Sequence, residues 1–255
     1  MKNQLTMKQI FFISLLFLLF ISCGSRTENK SMKTEQAQQI DIIEQSNRFR
    51  NYATDSLFYD SLPLKEKVNK LFVVGDFDGD GRRDTIFQHL FSYRTGKEID
   101  SVPSFEGEGY EWGDDINWYM RQGVTVYLPF KRDTLFGCCP AFGLYCLINI
   151  GDINHDGKDE IALAVDYCTF TRVGRCDIYT ICKGKWTLLK QFQIHDDAFT
   201  WGRDEESPLP FTEIKGYLEK RKGKWHYKDY MEAILSEEYY IDEYPMQVLT
   251  LDKCK

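Results

Sequence analysis

Nine residues, Asp76-Phe77-Asp78-Gly79-Asp80-Gly81-Arg82-Arg83-Asp84, place carboxylates at positions 1, 3, 5 and 9 and glycine at position 6. A near copy begins 76 residues later, Asp152-Ile153-Asn154-His155-Asp156-Gly157-Lys158-Asp159-Glu160. Hard cations such as calcium take about six to eight oxygens at about 2.3–2.6 Å. Alternate residues of a tight turn project to one side, so positions 1, 3 and 5 can converge on an ion. Position 7 can add its backbone carbonyl, and an acid at 9 closes the shell. The expected ligands are Asp76, Asp78, Asp80, the carbonyl of Arg82, and Asp84 in loop 1. In loop 2 they are Asp152, Asn154, Asp156, the carbonyl of Lys158, and Glu160. Glycine at position 6 permits the positive φ of a sharp reversal. Loop 1 offers four carboxylates and loop 2 three plus an amide, which predicts tighter calcium binding at loop 1.

Without a cation such convergence is unfavourable: like charges about 4 Å apart repel by roughly 4 kcal/mol at an effective dielectric near 20. The competing interpretation is a pair of ordinary Asp-Gly turns with the acids splayed into water. An EF-hand is a poorer fit, because it requires a bidentate Glu at position 12 and flanking helices. Position 12 here is Phe87 or Leu163. Apolar runs precede the loops (Leu71–Val74, Leu147–Ile150) and follow them (Thr85–Phe87, Ile161–Val165), predicting strand, loop, strand.

Over Leu71–Phe87 and Leu147–Val165 this arrangement resembles the FG-GAP or VCBS type of calcium repeat found in integrin α-subunit propellers and in bacterial secreted proteins. The Gly-Ala-Pro of that family does not follow Val165, where Asp166-Tyr167-Cys168 stands. The resemblance implies propeller-like strand units with two calcium loops.

The remainder of the chain must position those loops. Lys2 and Lys8 precede an apolar core, Ile10–Ile21, ending in Ser22-Cys23-Gly24. That is the pattern of a secretory signal peptide, too short to span a bilayer well. With Cys at its end it resembles a bacterial lipoprotein signal, which implies cleavage after residue 22 and lipid on Cys23. Several acyl chains on one residue would anchor the chain stably to a membrane. Residues 23–48 are polar and read as a tether, and a single domain is expected over 49–255. The expected location is the bacterial cell envelope, at the outer membrane. The periplasmic face is favoured there, because the acidic run that marks surface export in similar lipoproteins does not follow Cys23.

Lys and Arg number 32 against 39 Asp and Glu; loss of residues 1–22 leaves 30 against 39, a net charge of −9. That balance argues against a nucleic-acid partner. A membrane, reached through lipid, and a protein or glycan ligand are the partners expected.

β-Formers dominate the domain, and a compact, all-β antiparallel fold with at most one or two short helices is expected, an irregular β-sandwich being the alternative to propeller-like units. Candidate strands are Leu71–Val74, Asp84–Ser92, Val124–Phe130, Leu144–Ile150, Glu160–Val165, Asp177–Cys182, Trp186–Ile194 and Tyr217–Lys220. Lys183-Gly184-Lys185-Trp186 and Lys222-Gly223-Lys224-Trp225 read as hairpin turns. Asp229–Ser236 reads as a helix capped by Asp229.

Seven cysteines follow Cys23, and no C-x-x-C is present, so neither a zinc ribbon nor a thioredoxin-like site is indicated. Cys168 and Cys176, which bracket a short Gly-containing loop, are the expected bridge. His195-Asp196-Asp197 reads as a solvated loop, because no nucleophile motif accompanies it. The acidic, aromatic stretch Glu106–Trp118 is a β-core rim or, alternatively, a sugar-binding face.

Function is thus expected to be non-enzymatic: calcium-stabilised binding or scaffolding. The alternatives are an exported hydrolase, such as a glycoside hydrolase with structural calcium, and a periplasmic inhibitor or sensor responding to calcium.

Overall fold

The computed structural model describes residues 56–106, 110–111, 113–169, 171–199, 211–236, 240 and 243–254. The signal peptide, Cys23 and the tether lie outside these residues. Strand makes up 48% of the structure, in several small antiparallel sheets and with few short helices. No propeller is present among them.

The centre is a four-stranded meander of β9 (Ala141–Gly151), β10 (Glu160–Tyr167), β11 (Val173–Cys182) and β12 (Lys185–His195). Successive residues of β10 enter different cores, as the period of two requires. Ile161, Leu163 and Val165 join one apolar cluster, while Ala162 and Ala164 join another. β10 is therefore buried on both faces.

On the first face lie β4 (His89–Ser92), β5 (Lys97–Ile99), β7 (Val124–Phe130) and β8 (Asp133–Phe136), in the order β5-β4-β7-β8. The hairpin of β2 (Phe72–Gly75) and β3 (Asp84–Phe87) shares that core. Nearby, β1 (Leu64–Lys67) pairs with β6 (Ser101–Pro103). The second core includes Leu218, Trp225 and Leu249. They lie on or beside the sheet formed by β13 (Leu218–Arg221), β14 (Lys224–Tyr227) and β15 (Gln247–Val248).

The two Lys-Gly hairpins are present. Lys183 and Gly184 have φ of 51° and 77°, and Lys222 and Gly223 have 49° and 80°. Positive φ at both central residues matches the twist of the flanking strands.

Three expectations are corrected. The expected strand Asp84–Ser92 divides at Gln88, whose buried side chain accepts a hydrogen bond from the Leu144 N–H at 3.1 Å, so β3 and β4 enter different sheets. The described helices number three rather than one or two: α1 (Ser56–Ser61), α2 (Asp114–Gln122) and α3 (Tyr230–Leu235). In α2, Asp114 and Asp115 occupy the favourable first turn and Gly123, at φ 57°, ends the helix. Its Trp118 is buried in the first core, and Asp114 accepts from the Tyr59 hydroxyl at 2.9 Å and the Glu111 N–H at 2.8 Å. These residues of the acidic, aromatic stretch are thus helix and core; Glu108 and Trp112 lie outside the described residues. Finally, Cys168 and Cys176 are unbridged and belong to opposite cores. The disulfide instead joins Cys182 to Cys254. Asp229 caps α3 as expected, accepting from the Met231 and Glu232 N–H groups.

Candidate metal centre

Both acidic loops connect antiparallel strands. Loop 1 begins after Gly75, which pairs with Asp84 across the β2–β3 hairpin. Loop 2 follows Gly151, which pairs with Glu160 across β9–β10. Flanking helices, which an EF-hand needs, are not there.

The loops are wound by their own side chains. Asp76 Oδ1 accepts from the N–H groups of Gly79 (2.9 Å) and Asp80 (3.1 Å), and Oδ2 accepts from Gly81 (2.9 Å). Asp152 does the same in loop 2, with Oδ1 to Asp156 (3.0 Å) and Oδ2 to Gly157 (3.0 Å). Position 5 repeats as well: Asp80 accepts from the Arg82 N–H at 2.9 Å, and Asp156 from the Lys158 N–H at 3.2 Å. Position 6 has the anticipated positive φ, 81° at Gly81 and 89° at Gly157. So does position 4, 78° at Gly79 and 56° at His155, where a non-glycine residue tolerates a disfavoured conformation. Position 2 anchors loop 1, because Phe77 is fully buried against Phe130.

Carboxylate oxygens of Asp76, Asp78 and Asp84 lie within 4.8 Å of one another, and so do those of Asp152, Asp156 and Glu160. These Asp-rich clusters could hold metal ions. Asp80 is outside the first group, at the exposed rim. Asn154 lies beside the second; its Oδ1 accepts from the Asp156 N–H at 2.9 Å. Lys131, from the β7–β8 turn, pairs with Asp78 and reaches 3.8 Å from Asp84, a provisional counter-ion for loop 1. Burial, with the charges of Asp80 and Asp76, pushes the Asp84 carboxyl above its usual range.

Glu160 provides the test of fit. The residue is fully buried. Its Oε2 accepts from the N–H groups of Ile153 (2.7 Å) and Asn154 (3.3 Å), whereas buried Oε1 has no hydrogen-bond partner. Burial pushes its pKa up to about 7; the two N–H groups oppose that rise, and Asp156 and Asp152 add to it. Buried polar atoms are rarely left unpaired. An oxygen-only donor set with an unsatisfied, buried carboxylate oxygen fits a hard divalent cation.

One residue that ligand spacing does not reveal joins the loops. Asp159 donates its N–H to the Asp76 carbonyl at 2.8 Å, and its Oδ2 accepts from the Asp76 N–H at 3.1 Å. Asn149 donates to the same carboxylate at 2.8 Å and to the Val74 carbonyl at 3.0 Å. The C-terminal segment covers loop 2: Lys253 Nζ donates to the His155 carbonyl at 2.8 Å, beside the disulfide at Cys254.

Elsewhere, Asp196 and Asp197 begin a 3-10 turn (Asp196–Phe199), and both pair with Arg172 and with His195. The group is an ion-paired turn at the strand end, with Asp197 and Arg172 exposed to solvent. A cavity of about 360 Å³ lies between Leu71, Leu90, Tyr119, Phe142 and Phe199. Asp166 is the one carboxylate in its described lining, and burial raises its pKa to about 6. No protein-family model, curated protein or solved structure matches this chain.

Proposed function

We propose that the chain is a calcium-binding protein of the bacterial cell envelope, lipid-anchored through Cys23, with a binding or scaffolding role rather than a catalytic one. The observation that carries the calcium assignment is the pairing of two strand–loop–strand units with converging carboxylates and the unpartnered, buried Oε1 of Glu160. The loop spacing, similar to FG-GAP repeats, supports the same reading, although the sheets around it are not arranged as a propeller. Calcium would supply positive charge between the carboxylates. Asp76, Asp78 and Asp84 would hold it in loop 1, with Asp80 and the Arg82 carbonyl completing the set. Asp152, Asn154, Asp156, Glu160 and the Lys158 carbonyl would hold it in loop 2. Loop 1 has the larger carboxylate count and is the tighter site in this reading, once Lys131 is displaced.

The disulfide between Cys182 and Cys254 supports an oxidising compartment, as export requires.

Calorimetric titration with calcium should show two binding events, one lost in Asp76→Ala and the other in Asp152→Ala. Heat unaltered in both variants would remove the calcium assignment. Fractionation of cells expressing Cys23→Ala tests the anchor: the wild type should partition with membranes and the variant should not.

A further inference from the structure

Five cysteines among the described residues are unbridged, and they fall into two kinds. Cys146, Cys168 and Cys176 are buried, and burial raises each thiol well above its ordinary pKa. Such thiols are inert. Cys138 and Cys139 are adjacent in sequence, exposed, and have their sulfur atoms 3.1 Å apart.

The surroundings hold this pair in place. Gly137 donates its N–H to the Val126 carbonyl at 2.8 Å, and the buried Thr125 hydroxyl donates to the Gly137 carbonyl at 3.0 Å. Pro140 then fixes the chain into β9. Cys138 Sγ lies 3.5 Å from the Tyr167 hydroxyl, and the charge of Arg175 is near. The neighbouring Cys139 thiol, the Tyr167 hydroxyl and Arg175 together bring the Cys138 thiol below its ordinary range, while Cys139 is held up by the same contact. One member is thus the nucleophile and the other its reserve.

We propose that Cys138 and Cys139 are a reversible redox pair that closes into a disulfide between neighbouring residues and is opened again by small thiols. The oxidant is an external low-molecular-weight disulfide, R–S–S–R. The Cys138 thiolate attacks one of its sulfurs, forming Cys138–S–S–R and releasing RS⁻. Cys139 then loses its proton and attacks Cys138 Sγ, forming the Sγ–Sγ bond and releasing the second RS⁻. Two electrons pass to R–S–S–R, and two protons leave as its halves become thiols. The reverse sequence restores the dithiol.

Adjacent Cα atoms are about 3.8 Å apart across a trans peptide, whereas unstrained disulfides prefer about 4.4–6.8 Å. A bond here is therefore strained and easily reduced, as labile and regulatory disulfides are. The bridge between Cys182 and Cys254 joins residues 72 apart in sequence, with Cα atoms 5.7 Å apart, and is expected to persist under the same conditions.

The test equilibrates the full chain with graded ratios of reduced to oxidised glutathione at pH 7, quenches with N-ethylmaleimide and maps peptides by mass. The peptide containing Cys138 and Cys139 should pass from doubly alkylated to unalkylated and lighter by two hydrogens, while Cys182–Cys254 stays intact. In Cys139→Ser the reaction should stall with glutathione on Cys138. Reduced wild type should bind phenylarsine oxide, which needs two neighbouring thiols, and Cys139→Ser should not. Circular dichroism of the variant, expected to match the wild type, separates lost chemistry from lost fold. Persistent double alkylation at every ratio, or glutathione on one wild-type thiol with the other still alkylated, would overturn the proposal.

Discussion

Replacing Glu160 by glutamine should shift stability in opposite directions with and without calcium. This carboxylate is fully buried, and burial, reinforced by Asp156 and Asp152, raises its pKa from 4.5 to about 7. A carboxylate raised on folding keeps its proton after the unfolded chain has lost it. Stability therefore falls as pH rises from about 4.5 to about 7 and stays low above that. At about 1.4 kcal/mol per unit, the penalty at pH 7 is roughly 3 kcal/mol. Glutamine keeps an oxygen for the Ile153 and Asn154 N–H groups without the charge. In a calcium chelator, Glu160→Gln should gain about 1–3 kcal/mol at pH 7 and nothing near pH 4. With calcium at a thousand times its dissociation constant, the wild type gains about 4.1 kcal/mol. The variant, one carboxylate short at loop 2, gains less, so the order of stability should reverse. Urea unfolding in chelator and in calcium, at both pH values, reads the four quantities. Equal destabilisation of the variant with and without calcium would refute the reasoning.

Asp159→Ala leaves the Asp76 N–H and the Asn149 amide without their carboxylate partner, a loss of about 1–3 kcal/mol. It should also weaken calcium binding at loop 1, from which Asp159 is absent as a ligand; unchanged loop 1 affinity by calorimetry would sever that link. Cys182→Ser opens a closure spanning 72 residues, and chain entropy sets its loss at about 4 kcal/mol in the urea midpoint. Arg94 and Arg121 hold the Asp60 carboxyl down at about 2. Its contribution is present above the ordinary carboxylate pKa of 3.8 and disappears as pH falls towards 2. Because Asp60 is about one-third exposed, solvent screening limits Asp60→Asn to about 1 kcal/mol at pH 7, vanishing near pH 2 in thermal melts.

The loops were legible because their information is local. Alternation at positions 1, 3 and 5, glycine at 6 and an acid at 9 are properties of nine consecutive residues, and so is the apolar run on either side. Val124–Phe130, with alternation and clear ends, reads directly as β7. Features settled by distant contacts were not readable. Gln88, where a run of β-formers divides, is bonded to the N–H of Leu144, 56 residues later. Asp159 takes its role from a loop 83 residues earlier. Cys168 and Cys176 are close in sequence, yet the two faces of the central sheet send them to different cores. In α2 the signal was present, acids in the first turn and Gly123 after the last, but the aromatic residues between them also fit a rim.

The hydrogen bonds and ion pairs around the acids say what a cation would add. Each loop directs backbone N–H groups inward onto the side chains at positions 1 and 3, so much of the negative charge is solvated by the chain. Lys131 and Lys158 supply further charge at Asp78 and Asp156. What stays unsatisfied is deeper: Asp84 Oδ2 and Glu160 Oε1, both at position 9, where each loop re-enters its sheet. A cation held there would act on the junction of loop and strand. Through Asp159 and Asn149 the β2–β3 hairpin is tied to the central sheet at that same junction. Calcium bound in this arrangement would stiffen the connection between two sheets rather than build either of them.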